Sequence, residues 1–458
     1  MSRPLTFVTF LALAAAALPA SAQPPAGTPG TSAGNPFPES SAGRAMARIT
    51  FASLDGCDSA GVCATDAFNT SKLFVNGTYA NTRANFGGDT SKADVSNSLL
   101  QLILSQSQTF PNVSTASGFT FTIGSADAPE LESRLYGPLF GERALTNGRG
   151  QLSLTFNAQR LRFQTLNGSL IGNTDSGLLW GDLNIDPNGG GYSGICRMDI
   201  NSTVYFAAAN YGLHDKLDVS VAVPIVHTSV EGSNEFLDYT FRFNPDTKKY
   251  ELKDNFATFA PQGRYFVEGT STGLGDVGVG AKYAFIREAD KGAALSVYTK
   301  LPTGSLDDMT GTGETSVGGN FIASFERNGW SPHINLGGLV ATGDVFNELN
   351  YNLGLSYRAV QDRLTLVGEL VGRRLFEVSQ FRAERDLGFL NSPVTGEQFL
   401  VRDFEAVEEA VDSMFVALGV KFRLKGQLLA TVFTVLPTTV AGLQVTRPTF
   451  NFGLNFAK

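Results

Sequence analysis

A chain of 458 residues with formal net charge −8, 50 glycines and 35 phenylalanines but only 42% hydrophobic residues is not composed like a core-packed enzyme of that length, whose apolar share is about 45–50%. The acidic balance argues against nucleic acid as a partner, because phosphate binding needs a basic surface. A transmembrane barrel accounts for both departures: it turns apolar side chains out to lipid, keeps a polar lumen, and uses glycine where strands curve.

Arg3 precedes an apolar stretch over 7–18 that ends in the small-residue site Ala20-Ser21-Ala22. That stretch is too short for a membrane helix, which needs about 20 apolar residues, so 1–22 reads as a secretory signal cleaved ahead of Gln23. The next longest apolar runs, 99–104 and 219–226, are shorter still, and the mature chain is expected to be exported without a helical anchor. Residues 23–44 are rich in Pro, Gly, Ser and Ala and read as a flexible leader.

Residues 45–149 read as a periplasmic or lumenal plug. Cys57 and Cys63 enclose a short loop, and in an oxidising compartment a local disulfide is expected between them. A metal site is the rival, but two thiols without a nearby His leave its ligand set incomplete. Cys196 is left over. Over 92–108, Val95, Leu99, Leu102, Ile103 and Gln106 fall at helical spacing. That segment is largely uncharged, so the helix should pack against protein.

From 150 to 458 the chain alternates apolar and polar residues in runs of about ten, the mark of an all-β, antiparallel up-and-down transmembrane barrel. Leu152, Leu154 and Phe156 alternate with polar residues, and beyond Gln159 the apolar set shifts to Leu161 and Phe163, which predicts a bulge. Met198, Ile200, Val204 and Phe206 share a face, and a tight turn at 212–216 leads into Leu217, Val219, Val221 and Val223, a hairpin. Further strands are expected near 277–285, 295–301, 315–325, 334–340, 351–357, 364–370, 414–424, 428–436 and 449–456. Together these give about twelve strands, with fourteen possible.

The connections alternate between short turns near 214, 290, 328, 361 and 425 and longer ones over 167–196, 232–273, 303–313, 343–348, 377–412 and 438–446. Short periplasmic turns and long extracellular loops are the asymmetry such barrels show. Both ends of the barrel then fall on the periplasmic side, and 45–149 must sit below it or inside it. A soluble two-sheet sandwich also alternates. Against it stand the breadth of the pattern and aromatics at strand ends, among them Trp330, Tyr351, Tyr357 and Phe456, where an interfacial girdle would lie.

Three motifs carry a resemblance: Tyr136-Gly137-Pro138-Leu139-Phe140-Gly141-Glu142-Arg143-Ala144 leading into Gly148-Arg149-Gly150; 211–219, with Gly212-Leu213-His214-Asp215-Lys216; and Gly273-Leu274-Gly275-Asp276-Val277 through Lys282-Tyr283. Over 118–458 the chain resembles outer-membrane transporters grouped with the meta-pathway of phenol degradation, and more loosely the fatty-acid and aromatic-hydrocarbon channels of Gram-negative bacteria. The resemblance implies an outer-membrane location and uptake of small, hydrophobic or aromatic solutes, and the transport is expected to be passive because the sequence shows no nucleotide-binding motif. The last strand, with Phe450, Phe452, Leu454 and Phe456, is similar to the signal read by the outer-membrane assembly machinery, although Ala457 and Lys458 follow the final aromatic.

Strand parity places Lys282, Lys300, Glu326, Arg358, Glu369, Arg373, Lys421 and Arg423 on the inner face, since charges on the lipid face cost about 2–4 kcal/mol at mid-depth. Glu326, Arg358 and Arg423 lie near short turns and are assigned, with Lys282 and Lys421, to the periplasmic rim or to plug docking. Glu369 and Arg373, four apart on one strand, are expected with Lys300 to line the solute path or pin the plug; the alternative is that all three are solvated lumen charges. Phe110, Phe119, Phe121 and Ile123 are candidates for an apolar solute pocket or simply the plug's own core.

Catalysis finds no support: His214, His227 and His333 lack a nucleophile and carboxylate at recognisable spacing. The loop over 182–189 alternates oxygen-bearing residues as calcium loops do, but Pro187 stands where such loops need Gly. No metal or cofactor is expected, and Asp307-Asp308 with Glu314 reads as a solvated loop tip. The expected protein is a passive outer-membrane channel; its rival is a non-transporting structural or adhesive barrel acting through long surface loops.

Overall fold

A computed structural model describes residues 37–39, 41–51, 102–103, 106–107, 121–123, 129–131, 136–172, 178–182, 190–244, 249–252, 264–306 except 289, 308–360 except 344, 363–391, 398–445 and 449–457. The expected signal segment, Cys57 with Cys63, Phe110 and Phe119 lie outside the described residues.

Twelve antiparallel strands form the wall: β1 Leu152–Phe163, β2 Gly190–His214, β3 Leu217–Asn244, β4 Val277–Arg287, β5 Lys291–Leu301, β6 Ser316–Phe325, β7 Trp330–Ala341, β8 Glu348–Val360, β9 Leu364–Asn391, β10 Gln398–Lys425, β11 Leu428–Pro437 and β12 Thr449–Ala457. The ring closes where β12 pairs with β1, from Phe452↔Ala158 to Ala457↔Ser153. Closure gives every wall strand a hydrogen-bonded neighbour on both sides along part of its length, the arrangement a hydrocarbon environment demands. Short turns follow β2, β4, β6, β8 and β10, so Leu152 and Ala457 both sit at the short-turn end.

Alternation then assigns the two faces. Outward side chains such as Phe156, Val221, Val279, Val297, Leu336, Leu353, Leu418 and Phe452 are exposed. Near the short turns the outer wall is aromatic, with Tyr211, Tyr283, Phe325, Trp330, Tyr357 and Phe456 exposed and Trp330 packed on Tyr357 at 4.3 Å between ring centroids. An apolar band bordered by aromatics is the exterior of a membrane barrel. Inward positions are polar, among them Ser153, Thr155, Asn210, Ser296, Asn335, Asn352 and Thr431, all buried.

The bulge expected in β1 is absent. β1 pairs with β2 from Leu152↔Tyr211 to Phe163↔Ile200 without a register slip. Phe156 is exposed, whereas Leu161 and Phe163 are buried: parity holds, and the apolar set changes from the outer to the inner face. The physical reason lies in the length of the neighbouring strands. β2 has 25 residues and β3, β9 and β10 have 28 each, against about 9–11 needed to cross a bilayer. Beyond the membrane the outer face meets water, so apolar side chains turn inward.

The same extension overturns the loops expected over 232–273, 377–412 and part of 167–196. Arg264–Leu274 is a strand that pairs with the upper part of β3, from Arg264↔Glu235 to Leu274↔Ile225. Its Gly269-Thr270-Ser271-Thr272-Gly273 run lacks the alternation by which membrane strands are read, because no lipid touches it. Leu178–Asp182 likewise pairs with β2.

Inside this upper wall lies a helix the sequence did not suggest, α1, Ala42–Phe51, preceded by a strand Phe37–Glu39 parallel to Val267–Gly269. Both elements begin within the stretch read as a leader. The amide of Ala42 donates to Ser271 Oγ at 2.8 Å, and Ala42, Ala45, Met46 and Ile49 pack in one apolar cluster with Phe163, Met198, Ile200, Val230, Met309, Leu375 and Val411. Of the helix expected over 92–108, the described residues Leu102, Ile103, Gln106 and Ser107 are helical, and Leu102 and Ile103 join that cluster. Each such burial is worth about 1.5–3 kcal/mol for a large apolar side chain.

Candidate functional site

Residues 136–150 approach β1 through the short-turn end of the lumen without forming helix or strand. The extended backbone of this segment joins no sheet, so its buried amides and carbonyls must be satisfied by other groups. The wall's inward polar residues do this, and together they turn the segment into a strap bound to eight of the twelve strands.

Glu369 of β9 is the centre of that arrangement. One carboxylate oxygen accepts the amide of Leu139; the other accepts the amides of Phe140 and Gly141, both at 3.0 Å, and the side-chain amide of Asn352 at 2.7 Å. His333 Nε2 lies 3.8 Å from Oε1, with both side chains essentially free of solvent. The register explains how the imidazole reaches it: His333 is opposite Gly354, and Gly354 is opposite Glu369. A Cβ at Gly354 would overlap the imidazole, so the middle strand must be bare here. A buried carboxylate is tolerated only when it is matched by donors in this way.

Around it the other wall side chains take the strap in sequence. Lys421 Nζ donates to the Pro138 carbonyl at 2.7 Å. Asn335 accepts the Glu142 amide at 2.7 Å and donates to the Glu142 carbonyl at 3.0 Å, imitating a strand neighbour. Lys282 Nζ donates to the Arg143 carbonyl at 3.1 Å and lies 3.6 Å from Glu142 Oε2. Arg143 pairs with Glu326 at 3.2 Å, and Arg358 is 3.8 Å from the same carboxylate. Asp218 accepts the Asn147 amide at 2.9 Å, and Asn147 donates to the Asn210 carbonyl at 2.9 Å. The strap also plugs the lumen with carbon: Leu139 packs with Phe206, Phe415 and Phe433, and Phe140 makes edge contacts with Phe415 and Phe433 at 5.2 and 5.5 Å.

Beside Phe140, Gly141 and Glu142 is a cavity of about 270 Å³ whose lining also includes Tyr298, Lys300, Asn320, Glu348, Asn350 and Arg373. Arg373 lies 3.8 Å from Glu348. A smaller space of about 50 Å³, lined by Lys300, Glu348, Phe346 and Thr310 among others, continues toward the apolar mouth.

The inward charges therefore divide by level. Glu369, Lys282 and Lys421 touch the strap backbone, Glu326 holds it through Arg143, and Arg358 joins through Glu326. Arg423 Nε instead donates to the Gly426 carbonyl in its own turn. Glu369 and Arg373, read as one pair, separate: the first holds the strap, while the second faces Glu348 with Lys300 on the cavity wall. Sequence reasoning passed over Asn335, Asn352, Asp218 and Asn210 as site residues, and weighed His333 only for catalysis. Inward parity marks them as lumenal, but nothing local marks their partners, which lie up to 193 residues away for Asn335. Phe121–Ile123, considered for a solute pocket, forms a short hairpin with Pro129–Leu131.

A family model described as "Putative MetA-pathway of phenol degradation" matches residues 184–375, from six residues ahead of β2 into β9. Among solved structures, the chain is similar to the COG4313 outer membrane channel from Pseudomonas putida F1, with 12% identity, TM-score 0.43, and 69% of this chain and 98% of that chain covered. It is also similar to a Pseudomonas aeruginosa FadL homologue, with 11% identity, TM-score 0.29, and 75% and 98% covered. No curated protein matches the chain. Over β2 to β9, then, the sequence is similar to the family model described for phenol degradation, and that stretch is carried on a closed twelve-stranded barrel.

Proposed function

We propose that the protein is a passive channel of the Gram-negative outer membrane for small hydrophobic or aromatic solutes, with residues 45–149 acting as its plug. The observation that carries this reading is the cavity enclosed in a lipid-facing barrel between the Glu369-bound strap and the apolar mouth. Its volume falls just under the about 300–1,000 Å³ usual for small-molecule sites. Lys300 and Arg373 orient the polar end of a solute there, and the apolar cluster around Phe163, Met198, Met309 and Phe346 receives its apolar body. The terminal strand β12 is the segment offered to the assembly machinery. A structural or adhesive barrel is favoured by the length of β2, β3, β9 and β10 outside the membrane.

Single-channel recording in planar bilayers separates the two. A channel gives unitary currents that aromatic alcohols added at the mouth side block in a concentration-dependent way, while saccharides of similar size do not. Silence of the full chain and of a form lacking residues 45–135 would sustain the adhesive reading instead.

A further inference from the structure

The Gly273-Leu274-Gly275-Asp276-Val277 motif has no part in the strap, yet it shapes the barrel at its mouth. Arg264–Leu274 and β4 both pair with β3, and between them Leu274 is opposite Ile225 while Gly278 is opposite Ala222. Four steps on one strand thus meet three on the other, a bulge centred on Gly275 and Asp276. Bulges re-aim side chains, and this one turns Asp276 into the lumen, where it lines both the larger and the smaller cavity.

The Asp276 carboxylate is taken up by the connection between β5 and β6. Oδ1 accepts the Gly304 amide at 3.0 Å, and Oδ2 accepts the amide and hydroxyl of Thr312 at 2.7 and 2.6 Å. One side chain therefore ties together the two limbs of the loop. Thr303 adds a clasp, donating to the Gly275 carbonyl at 2.6 Å and accepting the Val277 amide at 2.9 Å. So held, the loop does not stand out in water as its Asp307-Asp308-Met309 sequence suggests. Asp308 is exposed, but Met309 is buried in the apolar cluster and its carbonyl accepts the Thr228 hydroxyl of β3 at 3.1 Å. Gly311 permits the approach: a Cβ there would lie 2.6 Å from Asp276 Oδ1.

We propose that Asp276 is the latch of an inward-folded loop whose described residues are 303–306 and 308–312, and that this loop sets the largest solute able to pass the outer half of the lumen. Asp276 is a positioning residue; Thr310, Gly311 and Thr312 are the groups it presents to the path beside Lys300 and Phe346. The proposal rests on the channel reading above, and its test keeps the two apart.

Asp276→Ala, Asp276→Asn and Gly311→Val would each be compared with the unaltered full chain by hydrogen–deuterium exchange and by bilayer conductance with polyethylene glycols of graded size. Unheated gel mobility first establishes that each barrel is folded. Exchange over 304–312 should rise at least tenfold in Asp276→Ala and Gly311→Val and less in Asp276→Asn, which keeps an acceptor. The polymer size that still enters the pore should rise in the same order, while exchange over 139–141 stays unchanged. Unaltered exchange over 304–312 overturns the latch, and raised exchange with an unaltered size limit overturns the sieving role. Currents absent from every form, with exchange raised as described, would support the latch and overturn the channel reading beneath it.

Discussion

The lower and upper halves of this lumen hold their contents by opposite chemistries. Below, the strap is tied by Glu369, Lys421, Asn335, Lys282 and Asp218, side chains that accept or donate to backbone groups. Above, α1 and Leu102-Ile103 are held by the packing of Phe163, Met198, Ile200, Val230 and Leu375. The difference follows from what lies outside the wall. Where lipid covers the exterior, apolar residues are spent on the outer face and the inner face is left largely polar, apart from the Phe206, Phe415 and Phe433 cluster around Leu139; where water covers it, the assignment reverses. β1 shows both regimes in twelve residues without a change in register.

Glu369→Ala should give the largest effect. It removes the acceptor of three strap amides and leaves His333 and Lys421 beside an uncompensated void, a class of change that costs about 3–5 kcal/mol. Exchange of the Leu139, Phe140 and Gly141 amides should accelerate by on the order of 10²–10³-fold, since each 1.4 kcal/mol is about a factor of ten, and unitary current should rise. Leu161→Ala in the upper cluster should cost about 2–5 kcal/mol through the cavity it leaves. Its signature is faster exchange in α1 and a lower unfolding midpoint in denaturant. Arg374→Ala removes an ion pair with Asp412 in which both side chains are about half or more exposed. Such a pair is worth about 0–1 kcal/mol, so stability, current and exchange in both halves should be unchanged; a large loss would mean that the outer surface, too, holds the assembly together.

Much of the wall was legible because membrane strands advertise themselves. Lipid on one side forces alternation, and the short turns after His214, Arg287, Phe325, Val360 and Lys425 fall where the sequence suggests. Inward placement of Lys282, Lys300, Glu369 and Lys421 follows from the same parity. The strap's attachments were not legible, because its backbone has no period and the contact between Gly141 and Glu369 joins residues 228 apart. Nor was the upper barrel. Its strands turn apolar residues inward onto α1 and Leu102-Ile103, so Leu161 and Phe163 imitate a broken register, and Gly269 to Gly273 imitate a loop. The helix α1 is short, carries Arg44 and Arg48, and follows a Pro- and Gly-rich stretch, so its neighbours conceal it.

The most direct test of the two-chemistry lumen is residue-resolved hydrogen–deuterium exchange on Glu369→Ala and Leu161→Ala in the same bilayer mimetic. Glu369→Ala should release residues 139–141 while residues 42–51 stay protected, and Leu161→Ala should do the reverse. If either substitution releases both segments to the same extent, or Glu369→Ala leaves the strap protected, the lumen is one cooperative plug and its two halves are not held separately.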